Sequence, residues 1–144
     1  MRLQTASEAI SFSKELEEKA AQFYELLAES FKDYTETFYS FAKENRNFAK
    51  QIERTYISVI SDAIEGSYAV DLESDKFDFD IAIPSQSSFS EALQKAKDIE
   101  NKIIGYYDLA AEQSKSLMAD VPRQFNIVTK KRRNKRLPKL DELS

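Results

Sequence analysis

Leu16-Glu17-Glu18-Lys19-Ala20-Ala21-Gln22-Phe23-Tyr24-Glu25-Leu26-Leu27-Ala28-Glu29 is the stretch on which the fold of this chain turns. Leu16, Ala20, Phe23/Tyr24 and Leu27 recur at steps of three and four, which puts them on one face of a helix. The stripe extends back to Ile10 and Ser13 and forward to Phe31. Ser7 before Glu8, or Thr5 with Glu8 three residues on, supplies a capped start. One residue breaks the apolar pattern. Glu17, four after Ser13 and three before Ala20, lies on the stripe and not opposite it. A carboxylate aimed into a core is costly unless it is protonated, hydrogen-bonded or bound to a cation.

The same pattern returns further along. Shifted by 83 positions, Ala9–Ser30 overlies Ala92–Gln113 with eight identities, among them Lys14/Lys97, Glu17/Glu100, Lys19/Lys102, Tyr24/Tyr107 and Leu26/Leu109. Leu16/Ile99 and Phe23/Tyr106 keep apolar positions apolar. This self-similarity predicts a duplicated helix pair, residues 5–65 and 88–137. Glu100 is then a second carboxylate on an inward stripe, four after Ala96 and three before Ile103.

The remaining helices are predicted from the same periodicity. A second runs from about Thr35 to Glu65 with Phe38, Phe41, Phe48, Ile52, Tyr56, Val59 and Ala63 along one side, closed by Gly66. A third runs from Ser88 or Ser90 to about Lys115. A fourth starts at Asp120, with Pro122 in its first turn, and ends before Pro138. Between the second and third, Lys76-Phe77-Asp78-Phe79-Asp80-Ile81-Ala82-Ile83 alternates as an extended segment with one packed face. If helices two and three are parallel, the chain must travel back about 45 Å, which takes about 14 extended residues. The expectation is an all-α four-helix bundle with a long crossover between helices 2 and 3, a single domain over residues 1–137, and a C-terminal tail at 138–144.

Composition narrows the chemistry. The 144 residues include no cysteine and no histidine, so thiolate sites, His-ligated metals and His-based acid–base mechanisms are excluded. Two glycines, Gly66 and Gly105, cannot build a phosphate loop. Residues 130–144 carry seven Lys/Arg against two acids, and residues 1–129 fourteen against twenty-three. No stretch approaches the ~20 apolar residues of a membrane span, and no apolar signal core opens the chain. The reading is a cytoplasmic protein with no membrane partner.

Leu16–Glu29 and its counterpart Ile99–Glu112 resemble the first and third helices of the rubrerythrin-like branch of the ferritin superfamily. The resemblance covers about residues 5–135 and implies a ferritin-like bundle. In that family each of these helices gives one Glu to a di-iron site, and helices two and four each add a Glu-x-x-His pair. Here Phe48 and Phe125 stand where the resemblance implies His, and Asn45 and Pro122 stand where it implies Glu. Four of six implied ligands are replaced, which makes the site degenerate.

Glu17 and Glu100 are then expected to be remnants that share one proton or bond to Asn45, Tyr24 or Tyr107, in a core repacked with aromatics. No cofactor and no metal are expected. If a metal binds, Glu17, Glu44 and Glu100 are its candidate ligands, with iron as the metal. The basic run Lys130, Lys131, Arg132, Arg133, Lys135 and Arg136 is a candidate anion-binding patch. The functional expectation is a non-catalytic rubrerythrin-like bundle acting as an interaction or scaffold module. It would be a homodimer or pair with an acidic protein; nucleic acid is disfavoured because no aromatics interleave with the cations. The alternative is an iron-dependent oxidoreductase or ferroxidase with a carboxylate-only site.

Overall fold

A computed structural model of the chain describes residues 1–60, 69–114 and 120–144. A short strand, β1 (Arg2–Thr5), leads into α1 (Ala6–Ser30). Thr5 caps α1 through its side chain to the Glu8 amide, and Glu8 answers to the Thr5 amide, a reciprocal capping box. A 3₁₀ turn at Lys32–Tyr34 reverses the chain into α2 (Thr35–Ile60). After β2 (Ala69–Glu73) and a 3₁₀ turn at Ser74–Lys76, α3 spans Phe89–Ser114. Ser88 and Glu91 cap its start, the Glu91 amide donating to Ser88 Oγ at 3.1 Å and the Ser88 amide to Glu91 Oε1 at 3.3 Å. The last helices are α4 (Asp120–Lys131) and α5 (Leu137–Leu143), joined through a π-helical turn at Arg132–Arg136. The expected Gly66 cap, the Ala63 stripe position, and the ends at Glu65 and Lys115 lie outside the described residues.

Side-chain contacts fix the helix directions. The Phe31 ring at the end of α1 lies 5.1 Å from Phe89 at the start of α3, while Ser13, early in α1, donates to Tyr106 of late α3 at 3.3 Å. So α1 and α3 are antiparallel. The hairpin makes α2 antiparallel to α1 and hence parallel to α3. Pairings of Tyr107 with Phe125 (5.4 Å), Glu100 with Arg132 (2.9 Å) and Lys97 with Asp141 (2.8 Å) set α4–α5 antiparallel to α3. The order is up, down, down, up, and the connection between α2 and α3 returns the length of the bundle. Among the described residues no helix is long and apolar enough to cross a membrane.

The returning segment lies over α1 and α3. Its side chains alternate as the sequence suggests: Phe77, Phe79, Ile81 and Ile83 pack on the core, and Asp78, Asp80 and Ala82 face out. It is held from both helices, since Lys19 pairs with the Asp78 carboxylate and Lys102 Nζ donates to the Asp78 carbonyl at 2.9 Å. The alternation makes an extended strap with no sheet partner along those residues. Its upstream part does find one, for β2 pairs antiparallel with β1, in register Arg2 with Glu73 and Leu3 with Leu72. That two-stranded sheet was not foreseen. Four residues at the chain start carry too little pattern to be read as a strand until a partner strand about 70 residues away is placed beside them.

Two further expectations are corrected. The last helix does not end before Pro138, and residues 138–144 are not a tail: α5 carries Leu140, which is fully buried. The π turn explains both. Leu137 N–H bonds the Arg132 carbonyl five residues back, and the extra residue in that turn rotates all that follows by about 100°. Leu140 then faces the core where an unbroken α-helix would present Lys139.

Candidate functional site

Four ionisable side chains meet at the centre of the bundle, one acid from each of α1 and α3 and two cations from the π turn. Glu17, Glu100, Arg132 and Arg136 are all essentially without solvent exposure. Arg132 is the link. Its Nη1 and Nη2 grip Glu17 at 2.8 and 2.5 Å, and its Nε donates to Glu100 Oε1 at 2.9 Å. Arg136 Nη1 reaches both Glu100 oxygens at 3.4 Å and Asn45 Oδ1 at 3.0 Å. Its Nη2 donates to Glu44 Oε1 at 2.6 Å and the Phe41 carbonyl at 3.2 Å.

Neutral donors complete the carboxylates. Asn45 Nδ2 donates to Glu17 Oε1 at 2.9 Å. Tyr107 OH donates to Glu17 Oε2 at 2.8 Å, and Tyr24 OH to Glu100 Oε2 at 2.9 Å. Each tyrosine therefore serves the glutamate of the other helix. Rings flank both guanidiniums: Arg132 lies 5.1 Å from Phe48 and 5.8 Å from Tyr107, and Arg136 lies 5.0 Å from Tyr24 and 4.3 Å from Phe41. These are cation–π distances in a desolvated setting, where the attraction is strongest.

The electrostatics close on themselves. Two carboxylates face two guanidiniums. Burial by itself pushes the Glu100 carboxyl up, but Arg136 and Arg132 outweigh it and hold the group below the usual glutamate range. Burial, reinforced by the neighbouring carboxylates, pushes the Tyr24 and Tyr107 phenols well above their ordinary value, so both stay protonated as donors. Burial pulls down on Arg132 and Arg136, and the carboxylates more than compensate, so both remain cations.

Each residue singled out from the sequence has a definite place. Glu17 and Glu100 come together, as do the expected partners Asn45, Tyr24 and Tyr107. Phe48, Phe125 and Pro122 are buried. Glu44 is half-exposed at the edge and reaches the centre only through Arg136. The basic run is split, which corrects its reading as one anion-binding patch: Arg132 and Arg136 are core residues, Lys130, Arg133 and Lys135 are exposed, and Lys131 is half-buried over the Phe48 ring at 5.8 Å. Arg133 is also engaged, with Asp108 at 2.5 Å. The core is thus not repacked by aromatics alone, since two guanidiniums fill its centre. A signal for them exists in the sequence, because Arg132 lies two turns beyond Phe125 on the stripe that runs through Val121, Phe125 and Val128.

Chemically the arrangement is a closed ion-pair network. Every carboxylate oxygen of Glu17 and Glu100 already accepts two hydrogen bonds, three of them from a guanidinium and a tyrosine or amide, and Glu100 Oε1 from both guanidiniums. A di-iron centre does not fit this donor set, because the position a cation would take between the glutamates is filled by Arg132. No group of three or more metal-ligating side chains occurs among the described residues. Fold and site together define an all-α helical bundle closed around a buried ionic cluster. Comparison with protein-family models, curated proteins and solved structures yields no match to this chain.

Proposed function

We propose that this chain is a non-catalytic helical bundle of the rubrerythrin-like kind, in which arginine side chains stand where the metals of that family would be. One observation carries the reading: the Arg132 guanidinium bonds to both inward glutamates, Glu17 and Glu100. A fixed internal cation with these contacts leaves no open coordination position, and open positions are what oxygen or peroxide chemistry at a carboxylate site requires. The crossed pairs Tyr24–Glu100 and Tyr107–Glu17 support descent from a duplicated helix pair. The up, down, down, up order with a long crossover supports a ferritin-like topology.

In this reading the protein acts through its surface, as a homodimeric interaction module. Tyr39 and Ile57 on α2 are 44% and 55% exposed and lie eighteen residues, five full turns, apart on the same side of that helix. Elemental analysis of the purified protein and an iron(II) titration followed by absorbance test the core of the proposal. The expected result is no stoichiometric metal and no saturable uptake. One or two tightly held ions per chain would overturn it and return the carboxylate-only oxidoreductase reading.

A further inference from the structure

A recess of about 380 Å³ opens between α2 and the π turn with the first turn of α5, lined by Ser40, Phe41, Glu44, Lys135, Arg136 and Lys139. Three of the six are cations and one is an acid. Arg136 forms its inner wall and is 1% exposed, and its Nε is buried without a hydrogen-bond partner. Arg132, by contrast, has all three of its nitrogens engaged. Lys135 and Lys139 are exposed at the rim, and Lys139 Nζ lies 3.8 Å from Glu142 Oε2.

Glu44 is the informative residue. Glu17 and Glu100 already neutralise Arg132 and Arg136, so Glu44 is a third carboxylate that the buried cluster does not need for charge balance. It is also the only one of the three in contact with solvent, its side chain 42% exposed. Swinging Glu44 away from Arg136 leaves the core neutral and opens Arg136 Nη2 as a donor beside the two lysine ammonium groups. We propose that this recess is a binding site for a phosphoryl dianion, free or esterified, in which Glu44 is an intramolecular place-holder that the ligand displaces from Arg136.

The charge argument selects the ligand class. A monocarboxylate offers Arg136 nothing that Glu44 does not, and Glu44 has the advantage of being tethered. A phosphoryl group brings a second charge and a third acceptor oxygen, enough to engage Lys135 and Lys139 together with Arg136. The Phe41 ring and Ser40 hydroxyl on the same wall would meet an esterifying group. The proposal rests on the reading of the core as metal-free, in which Glu17 and Glu100 neutralise both guanidiniums; the iron(II) titration tests that reading separately from the phosphate titration.

The test is an amide-resolved NMR titration with inorganic phosphate and, separately, phenyl phosphate, at constant ionic strength set with sodium chloride. Saturable shifts confined to residues around 40–44 and 135–139 are expected. Glu44→Gln removes the competing charge and should tighten binding by about ten-fold, the equivalent of about 1.4 kcal/mol. Lys135→Gln with Lys139→Gln should weaken it by at least about ten-fold without moving the melting temperature, since both side chains are exposed. Phenyl phosphate binding more tightly than phosphate identifies an esterified ligand, and equal or weaker binding identifies the free ion; either supports the site. Shifts that never saturate, or saturate equally in the double-lysine variant, would overturn it. So would a folded Glu44→Gln protein that binds no more tightly than the parent.

Discussion

Arg132→Met would remove the one side chain among the described residues that bonds both Glu17 and Glu100, leaving two buried carboxylates with no central cation. Breaking a buried pair from one side is far costlier than replacing the pair, because the remaining charge has neither water nor partner. The expected loss is about 3–5 kcal/mol in urea denaturation. Glu17→Gln placed on top of Arg132→Met should cost less than the two separate effects combined, since it removes one of the stranded charges. Strict additivity would show that the cluster is not a coupled unit. At this scale the sequence disclosed half of the site. Glu17 and Glu100 lie on apolar stripes, and a buried carboxylate demands a partner, so their pairing with Asn45, Tyr24 and Tyr107 could be anticipated. Arg132 and Arg136 could not be separated by composition from the four other cations of the run, since a basic run is usually a solvated helix end.

Among the helices, the cap at Thr5/Glu8 is a local motif legible in the sequence, whereas the start of α3 is read there only as Ser88 or Ser90 and the structure adds the reciprocal cap with Glu91. Ser88→Ala should cost about 1 kcal/mol by leaving the first turn of α3 with an unsatisfied amide, a loss visible in a thermal melt. Gly105 sits inside α3, and a methyl group added there would meet Phe77 of the crossover at 3.8 Å, an ordinary contact. Gly105→Ala is expected to stabilise the fold by about 0.5–1 kcal/mol through helix propensity; a fall in melting temperature would show that α3 or the crossover has no room. The π turn was not legible. A pattern read at 3.6 residues per turn carries on past Lys131 without a break, and the rotation that turns Leu140 inward is set by what the last helix packs against. Pairing of β1 with β2 likewise depends on a crossover that brings distant segments together.

Over the whole molecule, charge is divided across the bundle more than along the chain. The described part of α1, the crossover and α3, with the segments that join them, carries seventeen acids against eight Lys/Arg; α2, α4, α5 and the π turn carry six acids against twelve. The crossover thus covers an acidic side and leaves the basic side open. Stability against pH follows from the shifted groups. Glu100 has a lowered pKa in the fold, as do the more exposed Glu18 and Glu25 beside Arg46. Their contribution is complete above the ordinary glutamate value of about 4.3 and is lost as pH falls below it, because the unfolded chain then takes up protons that the fold refuses. Tyr24 and Tyr107 are raised, so their contribution is complete below about 10 and is lost as pH rises beyond it. Urea midpoints measured from pH 3 to pH 11 should therefore show a plateau with two falling arms. Tyr24→Phe should shallow the alkaline arm; an unchanged arm would mean that the phenol is not buried beside Glu100 in solution.

The helical class, the inward placement of two carboxylates and the extended strap between α2 and α3 all follow from spacing within a segment, and spacing is a local property. What answers those carboxylates is set by packing. The partner of a buried charge is whichever group the packing brings within about 3 Å, and here that group sits 32 residues from Glu100 and 115 from Glu17, in a turn whose geometry departs from the helix before it.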